Sequence, residues 1–119
     1  MLFGKNKSEK VSKLEKKEAP GKVGDRVLCY IDGQHIKGTI YNNDISGGNL
    51  IGILLDEKMK GGKYFQGRGV TIGYELLKDP KKIEKIGEAN KNELELMEIT
   101  LKELKTLDMA EFHANKNPW

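Results

Sequence analysis

Residues Gly47 to Gly73 read GGNLIGILLDEKMKGGKYFQGRGVTIG. Two apolar runs, LIGILL and VTIG, flank a segment that holds four cations (Lys58, Lys60, Lys63 and Arg68) and the adjacent aromatics Tyr64 and Phe65. Eight of the chain's 14 glycines fall inside this stretch. Glycine reaches positive φ without a Cβ clash, and short apolar runs bounded by turn residues pair as strands. The stretch therefore predicts a hairpin whose arms are joined by a basic, glycine-hinged loop, and that loop reads as a binding edge.

Upstream, Gly24-Asp25 reads as a turn, and Arg26 to Asp32 alternates Val27, Cys29 and Ile31 on one face with Leu28 and Tyr30 on the other. Gly33-Gln34 connects this run to Ile36 to Tyr41, which is rich in β-branched and aromatic residues. Asn42 to Gly48 is the longest turn cluster, and Leu50 to Leu55 is apolar enough to be a central strand. Downstream, Lys63 to Phe65 adds a short strand and Val70 to Leu77 another, with Val70, Ile72, Tyr74 and Leu76 alternating. Five short strands with no helical crossover predict a mainly β fold, a five-stranded SH3-like small barrel over residues 23–86. Gly38, Gly52 and Gly73 fit the bends that closing so small a barrel requires.

Pro80 to Gly87 (PKKIEKIG) reads as one or two helical turns with proline at the first position. Residues 87–119 are a linker, a C-terminal helix and a tail. Leu94 and Leu96 alternate as in a strand, yet Leu94, Met97, Leu101 and Leu104 keep a three-four spacing. Asn92 followed by Glu95 resembles a capping box, so a helix from about Glu93 to His113 is expected; its stripe fits packing on the barrel, the preferred reading, or docking against a partner helix. Residues 1–22 carry too few apolar side chains to offset ordering entropy and are expected to form a flexible basic arm.

Charge is unevenly spread. Residues 1–20 hold six lysines against three glutamates, residues 21–86 eleven basic against eight acidic, and residues 87–119 four against seven, which recovers the net +3. A basic front and an acidic rear suit an anionic partner or head-to-tail contact between copies, though +3 is modest for a dedicated nucleic-acid binder. Cys29 is the single cysteine, which excludes an intramolecular disulfide and favours a reducing compartment. The beginning, MLFGKNKSEK, has no apolar signal core, and no run approaches the roughly 20 apolar residues of a membrane span. A cytoplasmic protein with no membrane contact is expected.

Enzyme chemistry has little to stand on. His35 and His113 are far apart in the sequence, and Cys29 lies in metal-ligand or nucleophile spacing with neither, so no catalytic residue, metal or cofactor is expected. Asp44, Asp56 and Glu57 read as turn carboxylates. Gly67-Arg68-Gly69 lacks the following helix and lysine of a phosphate loop. The basic loop is the better lead: Lys58, Lys60, Lys63 and Arg68 suit phosphates, and Tyr64 or Phe65 suits stacking. Adjacent strand residues point to opposite faces, so one of these two rings is expected in the core. Trp119 is the other candidate contact, because an exposed tryptophan is costly until it docks.

Val23-Gly24-Asp25-Arg26-Val27, Lys37-Gly38-Thr39-Ile40, Ile51-Gly52-Ile53-x-Leu55-Asp56-Glu57 and Gly62-Lys63-Tyr64-Phe65 together resemble a CAP-Gly domain, over Val23 to Leu77. The resemblance implies an SH3-like barrel of a kind that binds acidic, aromatic-ended tails of cytoskeletal proteins. Where that family carries Gly-Lys-Asn-Asp-Gly, this chain has KMKGGK. A looser similarity is to PilZ domains, through Gly38-Thr39-Ile40, Asp44-Ile45-Ser46-Gly47-Gly48 and Ile72-Gly73-Tyr74-Glu75-Leu76. That family binds a cyclic dinucleotide with paired arginines; here only Lys13 and Lys17 have the spacing, and lysine lacks the planar fork. The expected function is a non-catalytic protein-interaction or assembly subunit with a protein or homo-oligomeric partner. Nucleic-acid or nucleotide binding through loop 58–69 is the alternative.

Overall fold

The computed structural model describes residues 19–116, with side chains to residue 111. The predicted arm therefore lies, over residues 1–18, outside the described residues, as does Trp119. Among the described residues five strands, β1 (Asp25–Ile31), β2 (Gln34–Ile45), β3 (Leu50–Leu55), β4 (Gly69–Gly73) and β5 (Ile83–Glu88), precede one long helix, α1 (Lys91–Lys116). They form a single antiparallel sheet in the order β4-β3-β2-β1-β5, and no ladder joins β4 to β5.

The β1–β2 connection is Asp32-Gly33, both at positive φ (49° and 76°), the two-residue turn whose twist matches the flanking strands. It fixes the register Ile31↔Gln34, Cys29↔Ile36 and Val27↔Gly38. That register puts Val27, Cys29 and Ile36 on one face, where Ile40, Ile51, Ile53, Leu55, Leu77 and Ile83 join them in a buried cluster. Val70 and Ile72 of β4 pack against the same cluster. Both edge strands thus feed one core, and the sheet must curl to let them.

β3 explains its own composition. Ile51, Ile53 and Leu55 face the inner core, while Leu54 joins Met97 and Leu104 of α1 in a second buried cluster on the outer face. A strand covered on both faces reads as a continuous apolar run. Leu94, Leu101, Tyr41 and Phe65 pack around this second cluster. The spacing Leu94, Met97, Leu101, Leu104 is the helix face that docks.

Several expectations need correcting. Residues 83–88 are the fifth strand, not helical turns, because Ile83 to Lys85 pair with Val27 to Cys29 and Tyr30 N–H donates to Lys82 O at 2.9 Å. Lys63 to Phe65 forms no strand beyond a single bridge, Tyr64↔Gly69. The run Val70 to Leu77 breaks after Gly73 into a 3-10 turn, Tyr74–Lys78, which drops Leu77 into the core. The capping box is Asn90 with Glu93: each side chain accepts the other's backbone N–H at 2.8 Å. Gly52 serves packing more than bending, since a Cβ there would lie 2.7 Å from the Tyr41 ring.

Candidate functional site

The loop between β3 and β4 is built in two layers. Its tip is held by backbone contacts: Met59 N–H donates to Gly67 O at 2.7 Å and Gly62 N–H to Met59 O at 2.9 Å. Gln34 clamps it from β2, its amide accepting from Lys60 N–H at 2.9 Å and donating to Lys60 O at 3.1 Å. Met59 packs onto the inner core. Lys58, Lys60 and Lys63 are left exposed around this frame, beside Tyr64, whose side chain is 70% exposed.

The second layer turns inward. Phe65 and Gln66 adopt positive φ (51° and 56°), a left-handed turn that costs a bulky residue free energy unless its surroundings hold it. The holder is Asp108 on α1. Its Oδ2 accepts from Phe65 N–H at 3.0 Å, and its Oδ1 accepts from Gln66 Nε2 at 2.9 Å. The Phe65 ring then lies over Gly69, where a Cβ would come within 2.6 Å, and meets Tyr41 edge-on at 5.7 Å. Burial pushes the Tyr41 phenol above its ordinary range.

Arg68 also faces the helix side. Its Nε donates to Leu55 O at 2.8 Å, and it lines a recess of about 200 Å³ with Arg26, Thr39, Asp56 and Glu93. Arg26 Nη1 and Nη2 both reach the Asp56 carboxylate at 2.7 Å, and Nη1 also reaches Thr39 Oγ1 at 2.9 Å. The hydrogen bonds that the guanidinium donates to Asp56 hold it above its ordinary value against partial burial.

Of the residues singled out from sequence, Lys58, Lys60, Lys63 and Tyr64 therefore share one exposed rim. Phe65 and Arg68 belong to the helix-docking layer, and Trp119 lies outside the described residues. Sequence reasoning missed Asp108, Gln66 and Tyr41. A signal for Asp108 was available: it continues the ladder 94, 97, 101, 104 by four residues, so a carboxylate stands where the docking face calls for another apolar side chain.

His35 meets Tyr30 edge-on at 4.7 Å, and the Cys29 thiol is buried and pushed up to about 11 by that burial. Among the described residues no group of three or more His, Cys, Asp or Glu side chains is arranged to hold a metal, and no helix is long and apolar enough to cross a membrane. No family model, curated protein or solved structure matches the chain.

Proposed function

We propose that this chain is a non-catalytic protein-interaction or assembly subunit, built on an SH3-like small barrel. The barrel reading is supported by the strand order, by the 3-10 turn before the last strand, and by one core shared by both edge strands. The observation that carries the interaction reading is the second stripe of α1. Leu96, Ile99 and Leu107 are 63%, 56% and 53% exposed and lie outside the docking ladder, with Leu96 at the border of the recess lined by Arg26 and Asp56. At 100° per residue they fall within an arc of about 80°, a seam suited to an apolar face of a partner protein.

The test replaces that stripe. A triple variant, Leu96→Glu, Ile99→Glu and Leu107→Glu, keeps the docking residues and is checked for helix content by circular dichroism. Wild-type chain is expected to form a stoichiometric complex in sedimentation, with itself or with a captured partner, and the variant to lose it. Retention of every complex by a folded variant would sink the reading.

A second reading rests on Tyr64 standing exposed among Lys58, Lys60 and Lys63, a stacking face within a basic rim. It predicts oligonucleotide binding with a steep salt slope that Lys58→Ala, Lys60→Ala and Lys63→Ala flatten together. Absence of a salt-dependent complex removes it.

A further inference from the structure

The free edge of β4 combines two features that point to one kind of ligand. Leu55 N–H donates to Arg68 O and Tyr74 N–H to Asn49 O, both ends of the ladder with β3. Hydrogen-bonded pairs alternate between these ends, so Val70 and Ile72 direct their backbone groups at β3 and Thr71 and Gly73 direct theirs away. Gly69 also points outward, but its N–H is taken by Tyr64 O at 2.9 Å. The outward N–H and C=O of Thr71 and the outward N–H of Gly73 have no partner among the described residues, whereas the Gly73 C=O, at the N-cap of the 3-10 turn Tyr74–Lys78, takes that turn's first bond.

Beside that edge lies an open cleft of about 400 Å³ between β4 and the β1–β5 side of the sheet. Val70, Ile72 and Leu76 wall it on one side and Ile31 and Ile83 on the other. Exposed edges are ordinarily blunted by lysine, proline or an inward charge, and β4 (GVTIG) has none of these. β5, the opposite edge, carries Glu84, Lys85 and Glu88.

We propose that β4 binds a short extended peptide by strand addition, pairing with Thr71 and Gly73 and seating one apolar side chain in the cleft. Residues of an added strand that share the face of Val70 and Ile72 point where the cleft is. A helix or a compact apolar molecule would fill the cleft and leave the backbone groups unpaired. This site is separate from the outer stripe of α1 and stands whether or not that stripe engages a partner.

The probe is a capped six-residue peptide of alternating valine and threonine, titrated into the ¹⁵N-labelled full chain. Two further versions carry N-methyl groups either on every valine amide or on every threonine amide, which blocks one edge of the guest strand at a time. The proposal expects shifts and slowed exchange at the Thr71 and Gly73 amides, with smaller shifts at Leu76 and Ile83. It expects one methylated version to bind at least tenfold more weakly than the other. Thr71→Pro, tolerable on an edge strand because that N–H does not serve the β3 ladder, is expected to lose the same shifts while the rest of the spectrum persists. Equal binding by the two methylated versions, shifts confined to other surfaces, or no shift at all would each overturn the proposal. So would concentration-dependent broadening at Thr71 and Gly73 without peptide, which would assign the edge to a second copy. The wild-type titration with methylated peptides decides the matter even if the proline variant fails to fold.

Discussion

The two faces of β3 are packed by different rules. On the inner face Ile51, Ile53 and Leu55 lie among aliphatic side chains that are all but inaccessible to water. On the outer face Leu54 is joined by only two other buried residues, Met97 and Leu104, and the remainder is half-buried rings and leucines fixed by a carboxylate. The inner face decides that the sheet curls; the outer face decides what is attached to it. The largest predicted effect tests the inner one. Ile53 is 0% exposed, and Ile53→Ala is expected to cost about 4 kcal/mol, from lost transfer free energy and the cavity left behind. Urea unfolding followed by tryptophan-independent probes, such as far-ultraviolet dichroism, should show strand and helix signals lost together.

Titration separates the faces next. The Cys29 thiol, on the inner side, is pushed from 9.0 up to about 11 by burial. The unfolded thiol ionises first as pH rises, so the folded state holds the proton more tightly. The associated stability is complete below pH 9.0 and is lost as pH climbs toward about 11. The loss is on the order of 2 to 3 kcal/mol. Comparing wild type with Cys29→Ala isolates it from lysine and tyrosine titration elsewhere: the difference in unfolding free energy between the two proteins should narrow or reverse across that window. A pH-independent difference would mean that the thiol is solvated in the folded state.

Leu104→Ala probes the outer face, where about 2 kcal/mol is expected because the site is smaller and can relax toward solvent. The informative outcome is its shape. If the faces are separable, helix signal is lost before the sheet's methyl resonances collapse. A single transition matching that of Ile53→Ala would make them one cooperative unit.

How much of this was legible in the sequence follows the same division. β1 and β2 are written in local alternation and β3 as a continuous apolar run, and Val27, Cys29, Ile36 and Ile40 could be placed inward from their spacing alone. β5 could not, because IEKIGE has one core residue, Ile83, and a lysine-glutamate composition that locally favours helix; its strand state comes from pairing with β1, a partner over fifty residues away in sequence. The docking face of α1 was readable, but its start was not. Asn90/Glu93 and Asn92/Glu95 have identical capping spacing, and the first is used because Ala89 N–H is already tied to Gly24 O at 2.8 Å, where β5 ends. At the loop, the lysines were visible as charge. That one of Tyr64 and Phe65 faces inward was expected from alternation; that it is Phe65, and by a left-handed turn, was not, since a left-handed phenylalanine has no sequence signature without the carboxylate that stabilises it.

That carboxylate gives the smallest predicted effect and the one closest to function. Asp108→Ala removes the acceptor for both Phe65 N–H and Gln66 Nε2, at a global cost of about 1 kcal/mol. Its local consequence should be larger than its global one. Phe65 at φ 51° and Gln66 at φ 56° hold their turn only while the helix supplies acceptors, so their amides should exchange faster in the variant while that of Ile53 is unchanged. Asp108→Asn keeps one oxygen for the Phe65 N–H and should restore much of the protection. Unchanged exchange at Phe65 in Asp108→Ala would show that ring packing against Tyr41 and Gly69 is enough to hold the turn. Tyr64 immediately precedes this turn and its carbonyl accepts from Gly67 N–H at 3.0 Å and Gly69 N–H at 2.9 Å. Loosening Phe65 therefore frees the exposed ring as well, and the outer face of the sheet, through α1, sets where the basic rim presents its aromatic.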